Sequence, residues 1–142
     1  MSVVRILVVD DVADWRQWLA SVLRTEPFEI IGEASDGLEA VQLAEQMQPT
    51  VVLLDIGLPG LNGIETGVRI RRVAPDAKIL YLSQESDFDI VRAALQLGAL
   101  GYVLKSDAGR ELVEAIHAVV RGKKFVSSGV AGHHFKTATE DE

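Results

Sequence analysis

Residues 51–65 read VVLLDIGLPGLNGIE, and the opening run Val51–Leu54 decides the fold. Four apolar residues follow one another without a polar break and stop at a carboxylate, Asp55. A continuous run of this length suits a strand buried on both faces, as in a parallel sheet covered by helices. Similar runs stand on either side: Arg5–Val9 (RILVV), Glu29–Ala34 (EIIGEA), Lys78–Leu82 (KILYL) and Gly101–Leu104 (GYVL). The stretches between them have helical spacing. Trp15, Trp18, Leu19, Val22 and Leu23 form one apolar stripe between Ala13 and Arg24, and Trp15 and Trp18 read as packing residues. Leu38, Val41 and Ala44 form another between Gly37 and Met47, ended by Pro49. Further helices are expected over Gly63–Val73, Ser86–Leu97 and Ala108–Arg121. Ser86 and Ser106 or Asp107 are candidate N-caps, and Gly122 is a C-terminal stop. Five strand–helix alternations predict an α/β fold, an open parallel sheet with helices on both faces.

Composition bounds the function. A chain of 142 residues, 48% hydrophobic and 25% charged, is long enough for one domain with a real core. Its net charge of −7 argues against direct nucleic-acid binding, which relies on Lys and Arg neutralising phosphates. With no cysteine there is no disulfide or thiolate metal site, and the expected setting is a reducing cytoplasm. No signal-peptide pattern opens the chain, and no apolar stretch approaches the roughly 18 residues of a membrane span. Residues 126–142 lack a clear period and end in three acids, so they read as a tail or linker after a domain over 1–125. His133 and His134, adjacent in that tail, read as solvent-exposed residues rather than metal ligands.

Ligands of open parallel sheets bind beyond the carboxyl ends of the strands. There the sequence places Asp10 and Asp11 after the first run, Asp55 after the third, Ser83 after the fourth and Lys105 after the fifth. Taken singly, each has a simpler reading as a turn or cap residue. Together they do not. Like charges about 5 Å apart repel by about 3 kcal/mol per pair at an effective dielectric near 20, so three gathered carboxylates call for a cation. Oxygen donors with room for water suit Mg²⁺. The ion, the Lys105 ammonium and the Ser83 hydroxyl would then serve a phosphoryl group, leaving one carboxylate as nucleophile.

The segments VVDD (Val8–Asp11), LLDIGLPGLNGIE (Leu53–Glu65), LS (Leu82–Ser83) and GYVLKS (Gly101–Ser106) resemble the signature of response-regulator receiver domains of bacterial two-component systems. The resemblance covers roughly Arg5 to Phe125 and rests on four separate motifs in the right order. It implies a flavodoxin-like (βα)5 sheet with strand order 2-1-3-4-5. It also implies that Asp55 accepts a phosphoryl group from a sensor histidine kinase. Asp11 would bind Mg²⁺ directly, Asp10 mostly through water, and the Gly57 carbonyl would complete the shell. Ser83 and Lys105 would bind phosphoryl oxygens. Tyr102 falls at the family's rotameric switch position, so the face around the fourth and fifth units is where a partner or second subunit is expected on phosphorylation.

Ser106 stands where the family usually has proline, and GIE follows LPGLN, which resembles the NarL-type subgroup, whose members commonly carry a C-terminal helix-turn-helix. No such motif follows the fifth helix here. Gln84 replaces a usually small residue, and its bulk is expected to narrow access to Asp55 and slow phosphotransfer. Two other readings compete. A phosphorylation-silent interaction domain has only Gln84 in its favour. A haloacid-dehalogenase-type phosphatase would need a general-acid aspartate two residues after the nucleophile, where this chain has Gly57.

Overall fold

The computed structural model describes residues 3–24 and 27–130. Six parallel strands form one sheet: β1 (Val4–Val9), β2 (Phe28–Ala34), β3 (Val51–Leu54), β4 (Lys78–Ser83), β5 (Gly101–Leu104) and β6 (Phe125–Val126). Their order is β2-β1-β3-β4-β5-β6. The expected order 2-1-3-4-5 is therefore present, with a sixth strand added beyond β5. Five helices connect the strands: α1 (Ala13–Leu23), α2 (Gly37–Met47), α3 (Gly63–Val73), α4 (Phe88–Gln96) and α5 (Ala108–Val120). A single turn, α6 (Ser128–Val130), follows β6.

Successive residues of a strand point to opposite faces, and here both faces are covered. Leu7, Val9, Val52, Leu54, Ile79 and Tyr81 pack under α2, α3 and α4 through Ala40, Ala44, Ile70, Val91 and Ala94. Ile6, Val8, Val51, Leu53, Leu80 and Leu82 pack under α1 and α5 through Leu19, Leu23, Leu112, Ile116 and Val119. That is why the central strands are unbroken apolar runs. Among the described residues no helix is long and apolar enough to cross a membrane.

Local chemistry sets the helix ends. The carboxylate of Asp36 accepts from the Glu39 amide, and Glu39 in turn accepts from the Ser35 amide, a reciprocal cap on α2. Asn62 caps α3 through the Glu65 amide. Gly122 closes α5 as expected: at φ +78° its amide donates to Val119, and the next amide, of Lys123, donates to Ala118. The cap of α4 is one residue later than expected, on Asp87 rather than Ser86, because Asp87 is placed to accept from the Asp89 and Ile90 amides. Neither Ser106 nor Asp107 caps α5 with its side chain. Those residues form a 3-10 turn (Lys105–Asp107), and the Asp107 carboxylate accepts from Arg110 and from the Gly129 amide instead.

Two expectations of packing are corrected. On α2 the face turned inward is Gly37, Ala40 and Ala44, while Leu38 is 60% exposed. On α1, Trp15 is half-buried and stacks on Trp18 at 4.8 Å, but Trp18 itself is exposed.

The segment after residue 125 takes part in the fold as far as it is described. The Phe125 amide donates to Leu100 and the Ser127 amide to Tyr102. Ser127 Oγ accepts from the Leu104 amide, and Val130 is buried in the cluster that holds Tyr102. Two residues of strand are too short to show a period in sequence. His133, His134 and the acids Glu140, Asp141 and Glu142 lie outside the described residues.

Candidate functional site

Asp10 and Asp11 leave the end of β1, Asp55 the end of β3, Ser83 is the last residue of β4, and Lys105 follows β5. Register makes these ends level: Val9 pairs with Leu54, Leu54 with Tyr81 and Ser83 with Leu104. The carboxylates of Asp10, Asp11 and Asp55 each offer an oxygen within 4.8 Å of the others. An open cleft of about 510 Å³ lies beside them, bordered by Asp11, Asp55, Gly57, Ser83, Gln84 and Lys105.

The α3 N-terminus fixes Asp55 from behind. The Gly63 amide donates to the Ile56 carbonyl, and a Cβ at Gly63 would stand 2.3 Å from the Asp55 carbonyl oxygen. Only glycine lets the helix approach the strand end this closely. The Asp55 carboxylate also accepts from the Gly57 amide at 3.2 Å. The turn-forming role open to these acids from sequence is thus real for Asp55, and for Asp10 through the Val12 amide, and it operates within the site.

Charge is distributed unevenly. Lys105 Nζ lies 2.7 Å from Asp10 Oδ2 and 3.7 Å from Asp55 Oδ2. Asp10 is almost fully buried and its other oxygen accepts from the Val12 amide. Asp11 is exposed to the cleft. One ammonium against three carboxylates leaves the cleft acidic. Burial holds the Asp55 carboxyl above its ordinary value of 3.8; Lys105 and the Gly57 amide oppose that shift, and Asp10 and Asp11 add to it. Ionised Asp55 therefore costs folding free energy. Its favourable contribution is full below the ordinary value and is lost as pH rises through the raised one. At pH 7, without divalent ions, Asp55→Asn should melt a few degrees higher than wild type. The gap should close as pH falls towards 4; thermal melts across that range check it, and a gap constant with pH would contradict it.

The donor set fits a hard divalent cation. All its atoms are oxygens, the local charge is negative, and 4.8 Å compares with about 4.2 Å between opposite oxygens of a Mg²⁺ ion bonded at about 2.1 Å. Asp10, already engaged by Lys105 and Val12, suits contact through water. Asp11 and Asp55 suit direct contact.

Ser83 and Tyr102 meet on one loop residue. Ser83 Oγ accepts from the Glu85 amide at 3.0 Å, and the Tyr102 hydroxyl donates to the Glu85 carbonyl. Burial pushes the Tyr102 phenol above its ordinary range, with Ser83 opposing, so it remains a donor. Tyr102 is fully buried, 6.0 Å from Tyr81. In this conformation the ring at the switch position already lies inside the core.

Two contacts were not anticipated from sequence. The Lys105 ammonium lies 5.0 Å from the centre of the Trp15 ring, so Trp15 helps hold the cation beside packing against Trp18. Arg16 reaches back to the Asp10 main chain, and it carries no sequence motif that would have announced it.

A parallel sheet in this order, with acids, hydroxyl and lysine on its carboxyl edge, defines a receiver domain. The family model for the response regulator receiver domain matches residues 6–117, and the chain belongs to that family. Within it the chain is of the NarL type. It is 41% identical over 130 residues to the transcriptional regulatory protein LiaR of Bacillus subtilis (strain 168), covering 91% of this chain and 62% of LiaR. It is 32% identical over 126 residues to the nitrate/nitrite response regulator protein NarL of Escherichia coli (strain K12), covering 88% of this chain and 58% of NarL. The chain thus spans about three-fifths of the curated relatives it matches. Among solved structures, a LuxR-family two-component response regulator from Aurantimonas sp. SI85-9A1 superposes with a TM-score of 0.90 at 32% identity, covering 97% of this chain and 99% of that one. The isolated REC domain of RcsB from Salmonella enterica serovar Typhimurium, solved with the phosphomimetic BeF3-, gives 0.84 at 26%, covering 92% and 97%.

Proposed function

We propose that this receiver accepts a phosphoryl group on Asp55 from a sensor histidine kinase in the cytoplasm and converts it into a change of its α4–β5–α5 face. The observation that carries the reading is the gathering of Asp10, Asp11 and Asp55 within 4.8 Å, with Lys105 between two of them. Asp10, Asp11, Asp55 and the Gly57 carbonyl would hold Mg²⁺, which when bound supplies positive charge to the phosphoryl oxygens. An Asp55 oxygen bonds to phosphorus as the bond to the donor's histidine nitrogen breaks, giving an acyl phosphate. Lys105 turns from Asp10 towards the new oxygens, and Ser83 donates its hydroxyl hydrogen to one of them. Chemistry ends at this self-catalysed transfer and its reversal by water. The output is a surface, read as protein–protein contact, as homodimerisation, or as control of transcription where a DNA-binding domain is joined to it.

Ser83 carries the signal because it also holds Glu85, whose carbonyl holds Tyr102. Drawing Ser83 towards a phosphoryl oxygen moves that grip, and the site thereby favours one arrangement of the loop over another. Backbone NMR with Mg²⁺ and beryllofluoride tests this. In wild type the shifts should spread from Asp55 through residues 84–104 to the segment 125–130. In Ser83→Ala they should stay near Asp55. Shifts confined to the immediate site in wild type would contradict the proposed switch.

A further inference from the structure

The peptide that joins Asp10 to Asp11 is held from outside the site. Its carbonyl, that of Asp10, accepts a hydrogen bond from Arg16 Nη1 in the first turns of α1. The same guanidinium is held in turn: Arg16 Nε lies 2.9 Å from Glu33 Oε1 on β2. Glu33 stands opposite Val8 in the β1–β2 register, just before the acids leave the strand. Arg16 is mostly buried, while Glu33 is about half exposed. Every other polar group of Asp10 is already assigned: its amide donates to Ala34, one carboxylate oxygen accepts from Val12 and the other faces Lys105.

We infer that Arg16, braced by Glu33, is a positioning residue for the acidic pair: by fixing the plane of the Asp10–Asp11 peptide it sets the direction in which Asp11 enters the cleft. This rests on the reading of the cleft as a Mg²⁺ site. A peptide plane has one soft rotation on each side, and Asp11, exposed and with no side-chain hydrogen bond or ion pair, is the carboxylate whose aim depends most on it. A guanidinium presents its donors in a rigid fork, so one side chain can hold a carbonyl and a carboxylate at once. A lysine ammonium lacks that planar fork.

The test is Mg²⁺ titration of the purified chain, followed by the fluorescence of its two tryptophans and by calorimetry, in variants whose urea stability is measured alongside. Trp15 and Trp18 stack, and Lys105 lies over Trp15, so an ion that draws the acids away from Lys105 changes the environment of that pair. Arg16→Gln should weaken Mg²⁺ about tenfold. Arg16→Lys, which keeps the charge but not the fork, should recover less than half of that loss on a logarithmic scale. Glu33→Gln, which still offers an acceptor oxygen, should lose less than Glu33→Ala. Arg16→Gln combined with Glu33→Ala should be no weaker than Arg16→Gln alone, as expected of two groups acting in series. Mg²⁺ affinity within twofold of wild type in Arg16→Gln overturns the inference, whatever its stability. Full recovery in Arg16→Lys also overturns it, since charge alone would then account for the effect. Failure of the underlying reading looks different: wild type itself would show no saturable Mg²⁺ binding.

Discussion

Asp11→Asn should weaken Mg²⁺ binding by at least an order of magnitude and remove most of the heat stabilisation the ion gives. Asp11 is the one member of the acidic trio that is exposed and has no cation beside it, so a bound ion gains most from its charge. Affinity of such sites follows the number of charged ligands. For a millimolar site, 10 mM Mg²⁺ stabilises the folded chain by about 1.4 kcal/mol, or roughly 4 °C at this size. In Asp11→Asn the same addition should move the melt by no more than about 1 °C. Each variant must be compared with itself, because removing one of three crowded carboxylates also raises the ion-free melt. An equal gain in wild type and variant would place the ion elsewhere.

How much of this was readable from sequence depends on whether a feature is local. The central strands were legible because burial on both faces demands unbroken apolar runs, and Val51–Leu54 could hardly be anything else. The site was legible because a parallel sheet delivers the residues after its strands to one edge, and Asp10, Asp11, Asp55, Ser83 and Lys105 all hold such places. Features set by tertiary contact were not legible. On α2 the larger side chain drew the expected stripe to Leu38, whereas the helix turns its small residues inward; a Cβ on Gly37 would come within 2.3 Å of Thr66 Oγ1 on α3. Close helix packing there rewards alanine over leucine. Trp18 has the spacing of a core residue, yet it lies outside against Trp15. The sixth strand is two residues long and is held by two flanking bonds, from the Phe125 amide to Leu100, just before β5, and from the Ser127 amide to Tyr102. Arg16 acts on a main-chain carbonyl, an acceptor every residue has, and its brace lies 17 residues away.

The sixth strand also extends the proposed α4–β5–α5 face. Residues 125–130 lie along β5 and carry Val130 into the cluster that holds Tyr102.

The central claim is that Asp55 receives the phosphoryl group. Its carboxylate is held in place by Gly57, faced by Lys105 and open to the cleft, whereas Asp10 is buried and fully engaged. Intact-mass measurement after incubation with acetyl phosphate and Mg²⁺ tests it most directly. Wild type should gain one phosphoryl group, stable in acid and labile in base, and Asp55→Asn should gain none. A singly phosphorylated Asp55→Asn chain of the same lability would contradict the assignment.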